Sequence, residues 1–465
     1  MDKLGLNKIW SPWALGGLIV LLAAPAVAFD LRWDATSDRV SAELVDAPLQ
    51  SVLEQIRVAT GWEVALEPGV QHPISTVFNG LSSGEALTRL LRPSSFALIQ
   101  RSNAASRLLV FQTSMDRATK SVLQNADDQD LPATQIDDEW IVTLKPGADA
   151  EELARKLGAK ITGRIDKLGA YRLKFDDAEA AKVARTALEG NDAVEQIDAN
   201  YAIERPAALQ PMMHSNGQLP QIKAGGGSTD GQLVIGLVDT AVQVPAGELA
   251  KFFLKPISIA GEFHPAGEAP THGTGMSSDI LNGIAAMVGQ GNTANLAILP
   301  VDVFGASETT STFQLGQGMV EAWNRGATLI NGSIGSKADS PWLNEVIDRL
   351  TGYGAVIVAP SGNTPDGLPT FPAANPNVLA VTAVGPDGRL APYANMAPFV
   401  DIAMPGNSIV NLTGSSYFMS GTSVATARAT GAIAGYSLRN GQPLSAAQLF
   451  LRQTRGVRPA SQISP

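Results

Sequence analysis

The sequence predicts an α/β fold, a parallel sheet with helices on both faces, preceded by two small α+β domains. Three observations lead there. Beyond Leu233, short apolar runs at 233–238, 297–303, 328–330, 355–359 and 378–383 alternate with helical stretches near 274–287 and 312–325. Strands that are apolar throughout, separated by helices, belong to a parallel sheet covered on both faces. Upstream, residues 140–205 read β-α-β-β-α-β, a ferredoxin-like order, and residues 29–113 read as a second set of short strands and helices. A chain of 465 residues, at roughly 150 per domain, accommodates three such units.

Composition narrows the function. Hydrophobic residues make up 45% of the chain, enough to fill several cores, which excludes a disordered protein. The formal net charge of −10 offers no general attraction to phosphates, so nucleic acid is excluded as the main partner. Cysteine is absent, which rules out disulfides, thiolate metal sites, a cysteine nucleophile and a lipoprotein anchor. Imidazole chemistry has four candidates: His72, His214, His264 and His272.

Taken in order, residues 1–28 read as a signal peptide. Lys3 and Lys8 precede an apolar run that ends in Ala26-Val27-Ala28, which predicts cleavage after Ala28 and an exported chain. No later stretch reaches the roughly 18 continuous apolar residues of a membrane span. In block 29–113, Asp46 is expected to cap a helix whose Leu49, Val52, Leu53 and Ile56 share a face and which Gly61 ends. Strands are expected at 62–67 and 75–81, a helix at 83–91, and strands at 96–101 and 107–112. Residues 114–139 hold seven acids against two bases and little apolar material, which reads as a solvated linker.

Block 140–205 has helices near 148–157 and 178–188, with apolar faces expected from Leu153 with Leu157 and from Val183 with Ala187. Pro206, Pro211, Pro220 and Gly225-Gly226-Gly227 make 206–230 a second irregular linker. The main block then spans 231–455, and 456–465 is a tail.

Three places in the main block carry chemistry. The strand LVIGLVDT ends in Asp239, at the carboxyl edge where open α/β sheets build their sites. An aspartate there also serves as a turn or cap. THGTGMSSDI sets His272 among small residues at an apparent helix start. MSGTSVATARATG places Ser423 after Gly421-Thr422, opening a helix over 424–436 whose backbone N–H groups face an oxyanion. The Asp–His–Ser order is that of the subtilisin arrangement.

NGSIGS (331–336), APSGN (359–363), FPAANPNVLAVTA (371–383) and VDIAMPG (400–406) stand between these motifs. Together they make residues 231–455 resemble a subtilase, a subtilisin-like serine protease. The resemblance implies that Ser423 attacks the peptide carbonyl, His272 relays the proton and Asp239 orients the imidazole. It assigns the oxyanion amide to Asn363. One substrate edge falls to Ser333, Ile334 and Gly335, and the opposite wall to Ala359, Pro360 and Ser361. No cofactor is implied. Structural calcium cannot be carried over residue by residue, and Asp302 and Asp366 read as solvated or capping.

EWIVTLKPGAD, LGAYRLKF and AVEQIDANYAIERP resemble the propeptide of the same family, implying a zymogen whose own propeptide is chaperone and inhibitor, cut within 204–230. The run VSAELVDAPLQSVLEQIRVATGWEVALEPGV with FNGLSSGEALTRLL is similar to the short secretin/TonB N-terminal domain. That implies docking to a cell-envelope signalling protein, in a periplasm. Three positions depart from the family: Ala427 stands for a usual proline and is followed by Arg428, Ala241 stands for glycine, and Gly275 for a frequent histidine. They keep a second reading open, a docking protein that uses the scaffold with little catalysis.

Overall fold

The computed structural model describes residues 29–34, 38–67, 70, 72–99, 106–112, 134–206, 209–212, 220–225, 231–261, 270–385, 387–412 and 415–457. The expected signal peptide, most of the acidic linker, most of the tail, His214 and His264 lie outside them. The described residues form two compact units, those up to 60 with those of 72–90, and the remainder.

The N-terminal elements run β1 (Phe29–Asp34), β2 (Arg39–Pro48), α1 (Leu49–Thr60), β3 (Glu63–Leu66), β4 (Pro73–Leu81), α2 (Ser83–Leu90), β5 (Ser95–Ile99) and β6 (Arg107–Phe111). In the first unit β1, β2 and β4 form an antiparallel sheet, and α1 buries Leu49, Val52, Leu53 and Ile56. Gly61 ends α1 at φ 69°, as expected. Asp46 does not cap it. That residue sits in β2 at φ 55°, where the pairing to β4 slips, and its N–H donates to the Ser75 hydroxyl. Aspartate tolerates this left-handed turn, so the bulge claims the residue before the helix does. In the second unit β3, β6 and β5 form a separate small sheet.

Block 140–205 follows the expected order: β7 (Gln135–Leu144), α3 (Ala150–Leu157), β8 (Lys160–Ile165), β9 (Ala170–Lys174), α4 (Ala178–Glu189) and β10 (Val194–Glu204). The first strand starts inside the stretch read as linker. Asp149 and Asp177 cap the two helices through their carboxylates. The face of α4 differs from expectation. Ala181, Ala184 and Leu188 are buried, whereas Val183 is 66% exposed. Both sets have helical spacing, and the one ending in leucine removes more apolar surface from water.

Beyond this block come β11 (Gln210–Met212) and β12 (Lys223–Ala224), and then the main block. Its elements are β13 (Leu233–Asp239), β14 (Ile257–Ser258), α5 (His272–Val288), β15 (Thr293–Ala294), β16 (Leu296–Asp302), β17 (Thr309–Ser311), α6 (Thr312–Asn324), β18 (Ala327–Gly332) and α7 (Pro341–Gly352). β19 (Val356–Pro360), β20 (Val378–Val384), β21 (Ile402–Pro405), β22 (Asn407–Leu412), β23 (Ser415–Ser420), α8 (Thr422–Asn440) and α9 (Leu444–Arg455) complete it. The seven-stranded sheet has order β14-β16-β13-β18-β19-β20-β21, parallel throughout. One core lies between this sheet and α5, α8 and α9, the other between it and α6 and α7. Strand β13 has β16 on one side and β18 on the other, so the topology switches direction there, and ligands of open sheets bind at the carboxyl end of such a strand.

The 135–204 module docks on the α6–α7 face. Ile141, Ile165, Ala170 and Ile203 join that core, and β17 pairs antiparallel with β10 as a fifth strand of its sheet. Fully buried Asn200 accepts from the Phe313 N–H and the Thr312 hydroxyl, both at 3.1 Å, and so satisfies an orphan donor at the start of α6. Further along, β11 adds to the β22–β23 hairpin, and β5 lies against β11.

Candidate active site

Asp239 ends β13, the switch strand, and is fully buried. Its carboxylate accepts from the Thr240 N–H at 2.7 Å and from His272 Nδ1 at 2.8 and 3.0 Å. His272 is the first residue of α5, whose cap is Thr271. The turn after β13 is stapled to this helix start. Thr240 Oγ1 accepts from the Gly273 N–H, and the Gln243 side-chain oxygen accepts from the Thr271 N–H and the Thr274 hydroxyl. These bonds fix where strand end and helix start meet, and with them the Asp–His pair.

Ser423 is the second residue of α8, following Gly421 at φ 154°, ψ 164°. That backbone region is essentially restricted to glycine, and it turns β23 sharply into the helix. Helices α5 and α8 run parallel along their shared face: Gly283 meets Gly431, and Met287 meets Gly435 one turn later. Both N-termini, and so His272 and Ser423, therefore lie at the same end. The Ser423 hydroxyl donates to the Ser333 carbonyl at 3.0 Å, and among the described residues no hydrogen bond joins it to His272.

Asn363 lies in the loop after β19. Its Oδ1 accepts from the Thr422 N–H at 2.8 Å and the Thr422 hydroxyl at 3.0 Å. With the oxygen so engaged, the amide nitrogen is the end left to donate beside the start of α8. Ahead of the nucleophile turn, the Gly406 carbonyl accepts from the Gly421 N–H and the Tyr393 hydroxyl. Burial pushes that phenol well above its ordinary range, so it stays a neutral donor.

Ser333 and Ile334 are buried and Gly335 half-buried just beyond β18, with the Ser333 hydroxyl tied to Asn331 and to the Ser423 carbonyl. Ser336, next along, is already paired with Phe371. Ala359, Pro360 and Ser361 are buried, with main chain paired to β20, whereas Gly362 and Asn363 reach solvent.

One departure from the family pattern has a packing account. A Cβ at Gly275 would lie 2.3 Å from the Met419 sulfur and 3.0 Å from Leu209, so the missing side chain makes room for both. Arg428, beyond Ala427, reaches Asp279 on α5. Neither Ala427 nor Ala241 has an account in the contacts around it. Asp302 is buried rather than solvated and caps the turn at Phe304 and Gly305, while Asp366 pairs with Lys337. Sequence reasoning missed Thr240, Gln243, Tyr393 and the Asp279–Arg428 pair, none of which has a local signature. Among the described residues, no cluster of three or more His, Asp or Glu side chains could hold a metal ion.

Fold and site define a serine protease of the subtilisin-like α/β class. Residues 229–454 match the subtilase family and residues 124–200 match the fervidolysin N-terminal prodomain. The chain thus carries a subtilisin-like serine protease domain and a prodomain, which makes it a zymogen. It is similar to the thermophilic serine proteinase of Bacillus sp. (strain AK1), 26% identical over 64% of this chain and 77% of that protein. Subtilisin Savinase of Lederbergia lenta is 33% identical over 36% of this chain and 64% of its own length. Among solved structures, fervidolysin of Fervidobacterium pennivorans shares the fold, with a TM-score of 0.53 and 18% identity over 70% of this chain and 58% of that one.

Proposed function

We propose that this subtilase cleaves peptide bonds with Ser423 as nucleophile, His272 as proton relay, Asp239 as its orienter and Asn363 as oxyanion donor. The observation that carries the reading is the buried Asp239–His272 pair at the end of β13, at the end of the α5–α8 pair where the Ser423 helix also starts. Rotation about χ1 takes the hydroxyl off the Ser333 carbonyl and toward Nε2, a tightening expected on substrate binding. The proton passes to His272 as the Oγ–C bond forms, and the carbonyl oxygen takes the negative charge. Collapse breaks the C–N bond, and His272 returns the proton to the leaving amine. Water, activated by the same imidazole, then releases the acyl group.

Main-chain pairing along Ser333–Gly335 suits extended peptides of many sequences. The finer reading is an exported chain that loses residues 1–28, reaches a periplasm and is cut by its own serine within 204–230. Residues 29–113 serve as a docking module for a cell-envelope signalling protein, by analogy with the secretin/TonB type. Among the described residues no helix is long and apolar enough to cross a membrane. The docking-only alternative is not favoured, since the departures at Ala241, Gly275 and Ala427 spare every proton-transfer group.

Labelling with a fluorophosphonate tests the centre. Wild type should label and digest casein, and Ser423→Ala should do neither while remaining folded. Equal caseinolysis by both proteins would remove Ser423 from the mechanism.

A further inference from the structure

Helices α5 and α8 touch through backbone rather than through interlocking side chains. A Cβ at Gly431 would lie 2.2 Å from the Ile280 carbonyl oxygen, and one at Gly283 would lie 2.7 Å from the Arg428 carbonyl oxygen. Such smooth faces pack closely, yet they present few knobs to oppose sliding along the axes. His272 and Ser423 stand at the two N-terminal ends, so a slide would move one against the other directly.

Two side-chain contacts cross this interface: an exposed one at the far end, where Arg439 donates to the Met287 carbonyl at 3.1 Å, and a buried one nearer the catalytic end. Asp279, two turns into α5 from His272, has a side chain with no exposure. Its Oδ1 accepts from Arg428 Nε at 3.3 Å, and Arg428 lies little more than one turn beyond Ser423 on α8. The same oxygen accepts from the Ser408 hydroxyl at 2.6 Å. Ser408 belongs to β22 and pairs with Met419 on β23, the strand that leads into Gly421. The helix of the base, the helix of the nucleophile and the hairpin feeding that nucleophile therefore converge on one buried carboxylate.

We propose that Asp279, Arg428 and Ser408 are positioning residues that hold the His272 helix and the Ser423 helix in catalytic register. A buried ion pair is a poor source of stability, because desolvation offsets its attraction, and its best-attested use is to fix registry. A misplacement of about 1 Å between reacting groups can cost about 100-fold in rate. The cluster touches neither substrate nor the reacting atoms, so its loss should lower kcat and leave KM nearly unchanged.

The inference rests on the proposed roles of His272 and Ser423, and the test separates the two. The full-length protein, matured, is assayed as wild type, Ser423→Ala, the double variant Asp279→Leu/Arg428→Met and Ser408→Ala. The apolar pair should fold with a Tm at or above wild type, yet show kcat lower by about 10- to 100-fold with KM within about twofold. A folded double variant with wild-type kcat overturns the proposal, provided Ser423→Ala is inactive. If Ser423→Ala is itself active, the site reading fails instead. Should the double variant not fold, Ser408→Ala decides, since it keeps the ion pair and frees only the carboxylate. A fall in kcat of about threefold at constant KM and Tm supports positioning, and an unchanged kcat refutes it.

Discussion

Asn363 holds its side-chain oxygen on Thr422, so the oxyanion role proposed for it would fall to the amide nitrogen. Asn363→Ala should lower kcat by about 100- to 1,000-fold with little change in KM, measured on a chromogenic peptide. A change confined to KM would make the residue a binding contact. The loop that carries it is braced by Asp366, which accepts from Lys337 at 2.8 Å and from the Leu368 N–H. Burial works to raise this carboxyl, but those partners outweigh it and leave it below the ordinary range. A depressed native value gives stability that is present above about pH 4 and lost as pH falls through the native value. Lys337→Met should therefore lower Tm by about 1–3 °C at pH 7, and the difference should close toward pH 3. Equal deficits at both pH values would show that the lysine acts by packing. Asp239, His272 and Ser423 were legible as candidates because small residues and a strand end surround each of them. Asp279 and Arg428 were not, since their meaning appears only when two distant helices lie side by side.

At the scale of elements, fully apolar runs such as 233–238 and 355–359 identified the central strands, because burial on both faces leaves no polar alternation to confuse. Three-residue pairings escaped: β17 with β10 and β11 with β23 are too short to carry a period. The choice of face on α4 was equally hidden, for two sets of residues shared the same spacing. Strand β10 carries a further consequence. Asp198, 8% exposed, faces the α7 side of the catalytic part, and burial raises its carboxyl, with Glu345 adding to the effect against the Trp342 N–H. A raised native value gives stability that is present below about pH 4 and lost as pH rises through the native value. Asp198→Asn should thus raise the Tm of the uncleaved Ser423→Ala protein at pH 7–8 by about 1–3 °C, and change nothing at pH 3.5. A lower Tm at pH 8 would mean that the carboxylate is needed in its charged form.

For the whole molecule, the division into two compact units does not follow the three blocks read from composition, since the small β3-β6-β5 sheet groups with the catalytic part. The docking role proposed for 29–113 remains separable from catalysis by experiment. Deleting 29–113 should leave hydrolysis of a small peptide within about twofold while abolishing co-purification with envelope proteins. Loss of peptide hydrolysis would make the block a folding aid. The fifth strand that β17 lends to the prodomain sheet has a different implication, one of mass action. Cutting within 204–230 severs a covalent tether but leaves the β10–β17 ladder and the Asn200 contacts untouched. What changes is local concentration, from the roughly millimolar level of a tethered partner to that of the free fragment. Onset of proteolysis would then lag behind scission, and the lag would shorten on dilution. A freshly cut molecule in a crowded compartment would stay silent, and the same molecule released into a large volume would wake.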